Sequence, residues 1–255
     1  MRAKGSLGLG GLAGWAIGVA VATTMTLPAQ AQSFDAAERE AIGDIVREYL
    51  LENPDVIVEA IEVLQQREEQ AAQEAQLSAL RDRAGEIFHS PASPAMGELD
   101  GDVVLVEFFD YQCGYCASVL DDVFALSEED QNLRVVFKEL PILGPASTLA
   151  SQVALAVRLQ DEDLYVPVHN ALMGHQGPLN ETVIFEIAAE VGADVEQVRA
   201  DLRDPRVIGE IEANLRLADS LGIRGTPAFI VGDELIPGAA GLDTLRLLVQ
   251  AERAG

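Results

Sequence analysis

Val103-Val104-Leu105-Val106-Glu107-Phe108-Phe109 leads through Asp110-Tyr111-Gln112 into Cys113-Gly114-Tyr115-Cys116. The run of branched and aromatic residues reads as an apolar strand, and a helix-like stretch begins near Gly114. Cys113 and Cys116 are the only cysteines among 255 residues, and they fall where the strand turns into the helix. A thiolate at a helix N-terminus is stabilised by unpaired backbone N–H groups and by the positive end of the helix dipole, so the first cysteine becomes nucleophilic near neutral pH. The second can resolve what the first attacks. The same spacing occurs in half of a zinc site, but there is no second pair, and His89, His169 and His175 lack ligand spacing to it. A structural staple is the other reading, and a loop this short closes too little chain to stabilise much. The pair therefore reads as a redox site with no resident metal.

Downstream, Leu133-Arg134-Val135-Val136-Phe137-Lys138-Glu139-Leu140 supplies a second strand and completes a βαβ opening. From about 145 to 221 the periodicity is helical, through Leu149, Val153, Ala156 and Val157, then Thr182 to Val191, then Val195 to Leu202. Gly225-Thr226-Pro227-Ala228-Phe229-Ile230-Val231 returns to strand, Glu234 to Gly238 makes a hairpin partner, and Leu242 to Ala251 closes as an amphipathic helix. These elements predict one α/β domain with a helical insertion.

Upstream, composition changes near Ser90. Residues 34–88 are dense in Glu, Gln, Arg and Ala, and Pro91-Ala92-Ser93-Pro94 reads as a break. The boundary between an N-terminal helical region, 32–89, and a C-terminal domain, 90–255, is placed there. Phe34, Ile42, Ile45, Val46 and Tyr49 predict a short amphipathic helix ending near Glu52, with Asn53 capping the next helix and Pro54 at its first position. Ile57, Ile61, Leu64, Glu68, Ala71 and Ala75 then recur four and three residues apart, and Leu77, Leu80, Ala84 and Ile87 resume in a shifted register. Such a helix cannot bury its stripe alone, which predicts contact with another copy of itself; folding back on its own C-terminal domain, or fraying, is the alternative.

Arg2 and Lys4 precede an uncharged stretch from Gly5 to Leu27, and Ala29-Gln30-Ala31 has the small-x-small pattern of a signal-peptidase site. Residues 1–31 read as a cleaved export signal, which places the protein in the periplasm; an uncleaved anchor is the rival. The formal charge is −25 with 42 acids against 17 bases, and loss of the leader makes it more negative by two. So acidic a chain repels nucleic acid and anionic lipid surfaces, and its partners are expected to be proteins.

The run Glu107 to Cys116, the later Gly225-Thr226-Pro227 and the helical insertion between them resemble the DsbA family of thioredoxin-fold thiol–disulfide oxidoreductases, over roughly residues 90–255. The resemblance implies a cis bond at Pro227, with Thr226 facing Cys113 and its backbone receiving the substrate strand; a trans proline at a strand entry is the alternative. Gly114 and Tyr115, between the cysteines, tune thiolate stability. Glu107 lies six positions before Cys113 in an otherwise apolar strand, so a buried carboxylate there needs a partner or a proton. The family implies a pair with a lysine from the next strand, Lys138, passing protons to and from Cys116. A glutamate on a solvent-facing edge is the other possibility.

Residues 34–75 are similar to the N-terminal region of the suppressor-of-copper-sensitivity protein C group, whose relevant members trimerise through a helical stalk. That likeness implies a homo-oligomer, with a trimer as the group's state. It also implies client proteins with thiols or disulfides, and a membrane redox partner that resets the pair. The Gly-Tyr dipeptide resembles dimeric periplasmic isomerases, so the expected activity leans to disulfide isomerase or reductase. A DsbA-like oxidase stays open, as does a copper-handling protein whose reduced thiols hold Cu(I).

Overall fold

The computed structural model describes residues 34–255; the expected leader at 1–31 lies outside the described residues. Contacts divide the described residues into two compact units, one ending at Ile61 and one spanning Glu62–Gly255.

In the first unit, helix α1 (Ala36–Glu52) opens on a capping box in which Asp35 and Glu38 each satisfy the other's backbone N–H. None of its residues is buried, and Ile45 and Leu51 are 65% and 70% exposed. Asn53 closes this helix, where it was expected to open the next: its backbone N–H and its side-chain Nδ2 both donate to the Tyr49 carbonyl. Helix α2 (Asp55–Asp82) begins just beyond Pro54 and carries on into the second unit.

The second unit is built on a five-stranded sheet. Its elements after α2 are α3 (Ala84–Phe88), β1 (Ala95–Gly97), β2 (Val103–Phe109), α4 (Gly114–Glu129), β3 (Leu133–Glu139), α5 (Pro145–Gln160), a 3₁₀ turn (Glu162–Leu164), α6 (Tyr165–Met173), α7 (Glu181–Glu190), α8 (Val195–Asp201), α9 (Pro205–Ser220), β4 (Ala228–Val231), β5 (Glu234–Pro237) and α10 (Leu242–Ala254). The strand order is β1-β3-β2-β4-β5, with β2 and β3 parallel and the other neighbours antiparallel. The α/β class and the thioredoxin fold with an all-helical insertion, α5 to α9, are therefore as the sequence predicts. β1 was not anticipated: three residues behind Pro94 carry no alternation to read.

Register sorts the side chains between the two sheet faces. Leu105, Phe109, Val135 and Phe137 join the larger core with α4, α10 and the insertion. Val106, Phe108, Val136, Leu140, Ala228 and Ile230 join a second core with Leu80, Ile87, Leu217 and Leu221. Leu80 and Ile87, from the end of α2 and from α3, are at most 2% exposed, so the chain is already packed on the sheet before the compositional break at Ser90. Truncating a side chain such as Phe108, wholly buried in that core, would cost about 3–5 kcal/mol.

Candidate active site

The loop 110–113 joins β2 to α4 and is fastened from beneath. The wholly buried Asp110 carboxylate accepts from the backbone N–H groups of Gln112, Ile142 and Leu143, at 2.8, 2.8 and 2.9 Å. The Gln112 amide donates to the buried Ser147 hydroxyl on α5. Cys113 N donates to the Asp110 carbonyl, which leaves Cys113 as the N-cap of α4. Its Sγ accepts from Cys116 N at 3.4 Å and lies 3.2 Å from the Thr226 carbonyl, to which the thiol donates. The Thr226–Pro227 bond is cis. Gly114 and Tyr115, the latter 72% exposed, form the outer lip. A groove of about 250 Å³ beside Cys113 is lined by Met173, His175, Pro178 and Leu179 from the insertion.

The two sulfurs are free and differ in environment. Cys113 keeps 7% exposure at the groove, whereas Cys116 keeps 1%. Burial pushes the Cys116 thiol far up, and the nearby Cys113 and Glu107 charges push the same way. Cys116 therefore holds its proton until something takes it.

Glu107 is 4% exposed, on the face shared with the helix that carries the cysteines, and burial pushes its carboxyl up to about 8. The expected Glu107–Lys138 pair is not present. In the parallel register Glu107 sits opposite Phe137 and Phe108 opposite Lys138, so the lysine projects from the other face of the sheet. There Lys138 Nζ donates to the Glu86 carbonyl and the Ser93 hydroxyl, both at 2.7 Å, and Ser93 donates to Glu210 at 2.7 Å. Burial brings the Lys138 amine down to about 8, against the opposing charges of Glu210 and Glu86.

The groups below the loop carry almost no signal in the sequence. Glu139, at the end of β3, is wholly buried and accepts from the Tyr111 hydroxyl at 3.0 Å, the Tyr165 hydroxyl at 2.8 Å and the Ser151 hydroxyl at 2.7 Å. Burial outweighs these donors and pushes its carboxyl up to about 8. Tyr111 also lies 3.3 Å from Nδ1 of His169, whose ring burial holds it neutral down to about 3. The one sequence signal is the step Lys138-Glu139 inside an apolar strand, which obliges each face of the sheet to take one ionisable group. Among the described residues no three of His, Cys, Asp and Glu gather as a metal site. The arrangement can attack a disulfide with one sulfur, hold a proton on the other and store protons on two buried carboxyls.

The family described as DSBA-like thioredoxin domain matches residues 104–250, and the Copper resistance protein ScsC N-terminal domain matches residues 38–71. A thioredoxin-like oxidoreductase from Silicibacter pomeroyi DSS-3 is 42% identical, with 67% of this chain and 98% of that one covered and a TM-score of 0.65. Proteus mirabilis ScsC in a transitional conformation is 32% identical over 87% of this chain and 98% of that one, with a TM-score of 0.64. A Na(+)/H(+) antiporter, NhaA of Herminiimonas arsenicoxydans, is 31% identical over 178 residues; that match covers 66% of this chain but only 28% of the antiporter's length. No helix among the described residues is long and apolar enough to cross a membrane.

Proposed function

We propose, from the premise that this chain belongs to the DSBA-like thioredoxin-domain family of thiol–disulfide oxidoreductases, that it exchanges disulfides with client proteins in the periplasm as an isomerase or reductase. Cys113 is the nucleophile and Cys116 the resolving thiol. The asymmetry of the two sulfurs carries this reading: Cys113 caps α4 beside an open groove, while Cys116 is buried with its proton. Thr226, Pro227, Gly114 and Tyr115 border the reactive sulfur and form the surface on which an extended client segment lies.

The Cys113 thiolate attacks a client disulfide, forms a mixed disulfide and releases one client thiolate. If a second client thiolate attacks the client sulfur of that bond, Cys113 leaves as thiolate and the client is rearranged with no net redox change. If instead Cys116 gives up its proton and attacks the Cys113 sulfur, the client leaves reduced and the pair is oxidised by two electrons. Glu107, unpaired on the same face, takes the Cys116 proton through its ionised fraction, which grows as pH rises toward about 8. A membrane redox protein then returns the pair to its dithiol form.

Two features support isomerase or reductase work over oxidation: the ScsC-like match at 38–71 and the exposed apolar side chains of residues 34–64. Ile42, Ile45, Tyr49, Ile57, Ile61 and Leu64 are 42–65% exposed, and assembly with other copies, as a trimer, covers them. Insulin reduction, recovery of scrambled ribonuclease and the redox state of the pair in cells test the direction. A reduced pair in cells with ribonuclease recovery is expected; an oxidised pair without recovery assigns a DsbA-like oxidase. Tight Cu(I) retention against a chelator, without disulfide exchange, assigns copper handling by the two thiols.

A further inference from the structure

Glu139 lies at the end of β3, and nothing in the exchange steps above uses it. Its carboxylate receives hydroxyl donors from three elements: Tyr111 from the loop that carries Cys113, Ser151 from α5 and Tyr165 from α6. Tyr111 precedes Cys113 by two residues, and its ring packs edge-on against Phe109 at 5.1 Å. The loop therefore rests on two acids of different kinds. Asp110 holds it through fixed backbone N–H donors, whereas Glu139 holds it through hydroxyls that can rotate. With Glu139 ionised, all three hydroxyls donate to it. With Glu139 protonated, one of them must turn and accept. The proton on Glu139 thus changes the hydrogen bonding directly under the redox loop.

We infer that Glu139 is a positioning residue for the redox pair: its buried carboxylate, tied to the Cys113 loop by the Tyr111 hydroxyl, couples the proton it holds to deprotonation of Cys116. The inference rests on the exchange chemistry proposed above. The groups that face Glu139 are Tyr111 and Asp110 from the loop, Ser151 from α5 and Tyr165 from α6, with His169 of α6 and Glu107 of the neighbouring strand beyond Tyr111. None of these is a cation in the working range, since burial keeps His169 neutral down to about 3. Burial raises the Glu139 carboxyl to about 8, so it carries its proton at neutral pH and becomes an anion in alkali. An uncompensated anion there opposes a thiolate at Cys116, which slows resolution above that point.

Stopped-flow reaction of the reduced full chain with Ellman's reagent separates the steps. The first thionitrobenzoate reports attack by Cys113, and the second reports attack by Cys116 on the mixed disulfide. Glu139→Gln keeps the shape and an acceptor but cannot ionise. Its second phase is expected to match wild type at pH 6.5 and to run about threefold to tenfold faster than wild type at pH 9, the scale of one charge removed from a protein interior. Tyr111→Phe removes one donor that favours the carboxylate, so the bend in the wild-type profile is expected to move to higher pH; this carries the test alone if Glu139→Gln does not fold. A Glu139→Gln to wild-type ratio that is constant across pH, or an unmoved bend in Tyr111→Phe, leaves Glu139 as scaffold and overturns the inference. A wild type that shows one phase and is indistinguishable from Cys116→Ala instead overturns the exchange reading itself, and the inference with it.

Discussion

Glu107→Gln should make the protein more stable in alkali while crippling its chemistry. Burial alone holds the Glu107 carboxyl at about 8, against 4.5 for an ordinary glutamate. A raised acid contributes stability that is fully present below the unfolded value and is lost as pH rises through the folded one. Ionising Glu107 inside the fold therefore costs up to about 5 kcal/mol above pH 8, at 1.36 kcal/mol per pH unit. Relaxation and water penetration bring the expected figure to roughly 2–5 kcal/mol. Urea unfolding of the reduced protein at pH 5 and pH 9 reads this directly. The variant and wild type should unfold within about 1 kcal/mol of each other at pH 5, because Gln resembles the protonated acid. At pH 9 the variant should be the more stable by the full amount. In the exchange assay two effects compete. Removing the anion eases Cys116 ionisation by about tenfold at most, whereas removing the proton acceptor costs about a hundredfold or more, so the Cys116 step should slow. A stability difference that does not change between pH 5 and pH 9 would refute the buried, unpaired carboxyl, and an unslowed Cys116 step would refute its role as base.

The two cysteines should behave differently when replaced. Cys116→Ala should accumulate mixed disulfides with clients, visible as reductant-sensitive adducts on gels, and Cys113→Ser should not; equal trapping by both would remove the role assignment. Lys138→Met, on the far face of the sheet, should leave both Ellman phases within about twofold of wild type, as expected for a site with no shared partners; a slowing comparable to that in Glu107→Gln would reinstate a link between the two residues. Ile57→Asp with Ile61→Asp should convert an oligomer into a monomer by light scattering at micromolar concentration, with reduction of small disulfides retained and ribonuclease recovery lost. A wild type that is already monomeric would remove the assembly reading and favour an oxidase.

What could be read from the sequence follows a physical rule: local patterns survive, and pairings that depend on register do not. The β2 run and the cysteines at its end are local, so the strand and the helix cap at Cys113 stand where the residues put them. The insertion is legible for the same reason, since its helices carry their own periodicity. Asn53 was misread because Asn serves either helix end, and its two bonds to the Tyr49 carbonyl decide for the first helix. Glu139 was invisible as a hub because its partners come from a loop and two helices, 12 to 28 residues away in the chain. No local stretch of sequence holds them together.

The failed Glu107–Lys138 pairing says most about how this site works. One residue of register decides it: Glu107 faces Phe137, so Glu107, Phe109, Phe137 and Glu139 share the face toward the cysteine helix, and Lys138 joins Phe108 on the other. Had the lysine shared that face, it would have held Glu107 as a permanent anion with a low pKa, able to accept a proton only weakly at neutral pH. Without it, burial alone sets the acid near 8, which suits the proton transfer with Cys116 proposed above. Efficient proton transfer wants an acceptor matched to the working pH. The lysine serves elsewhere, fastening the segment around Glu86 and Ser93 to the back of the sheet. Strand alternation thus separates the two jobs: Lys138 ties the back of the sheet, while Glu107 and Glu139, with no cation beside them, stand on the face of the thiols, where the proposed exchange moves its proton.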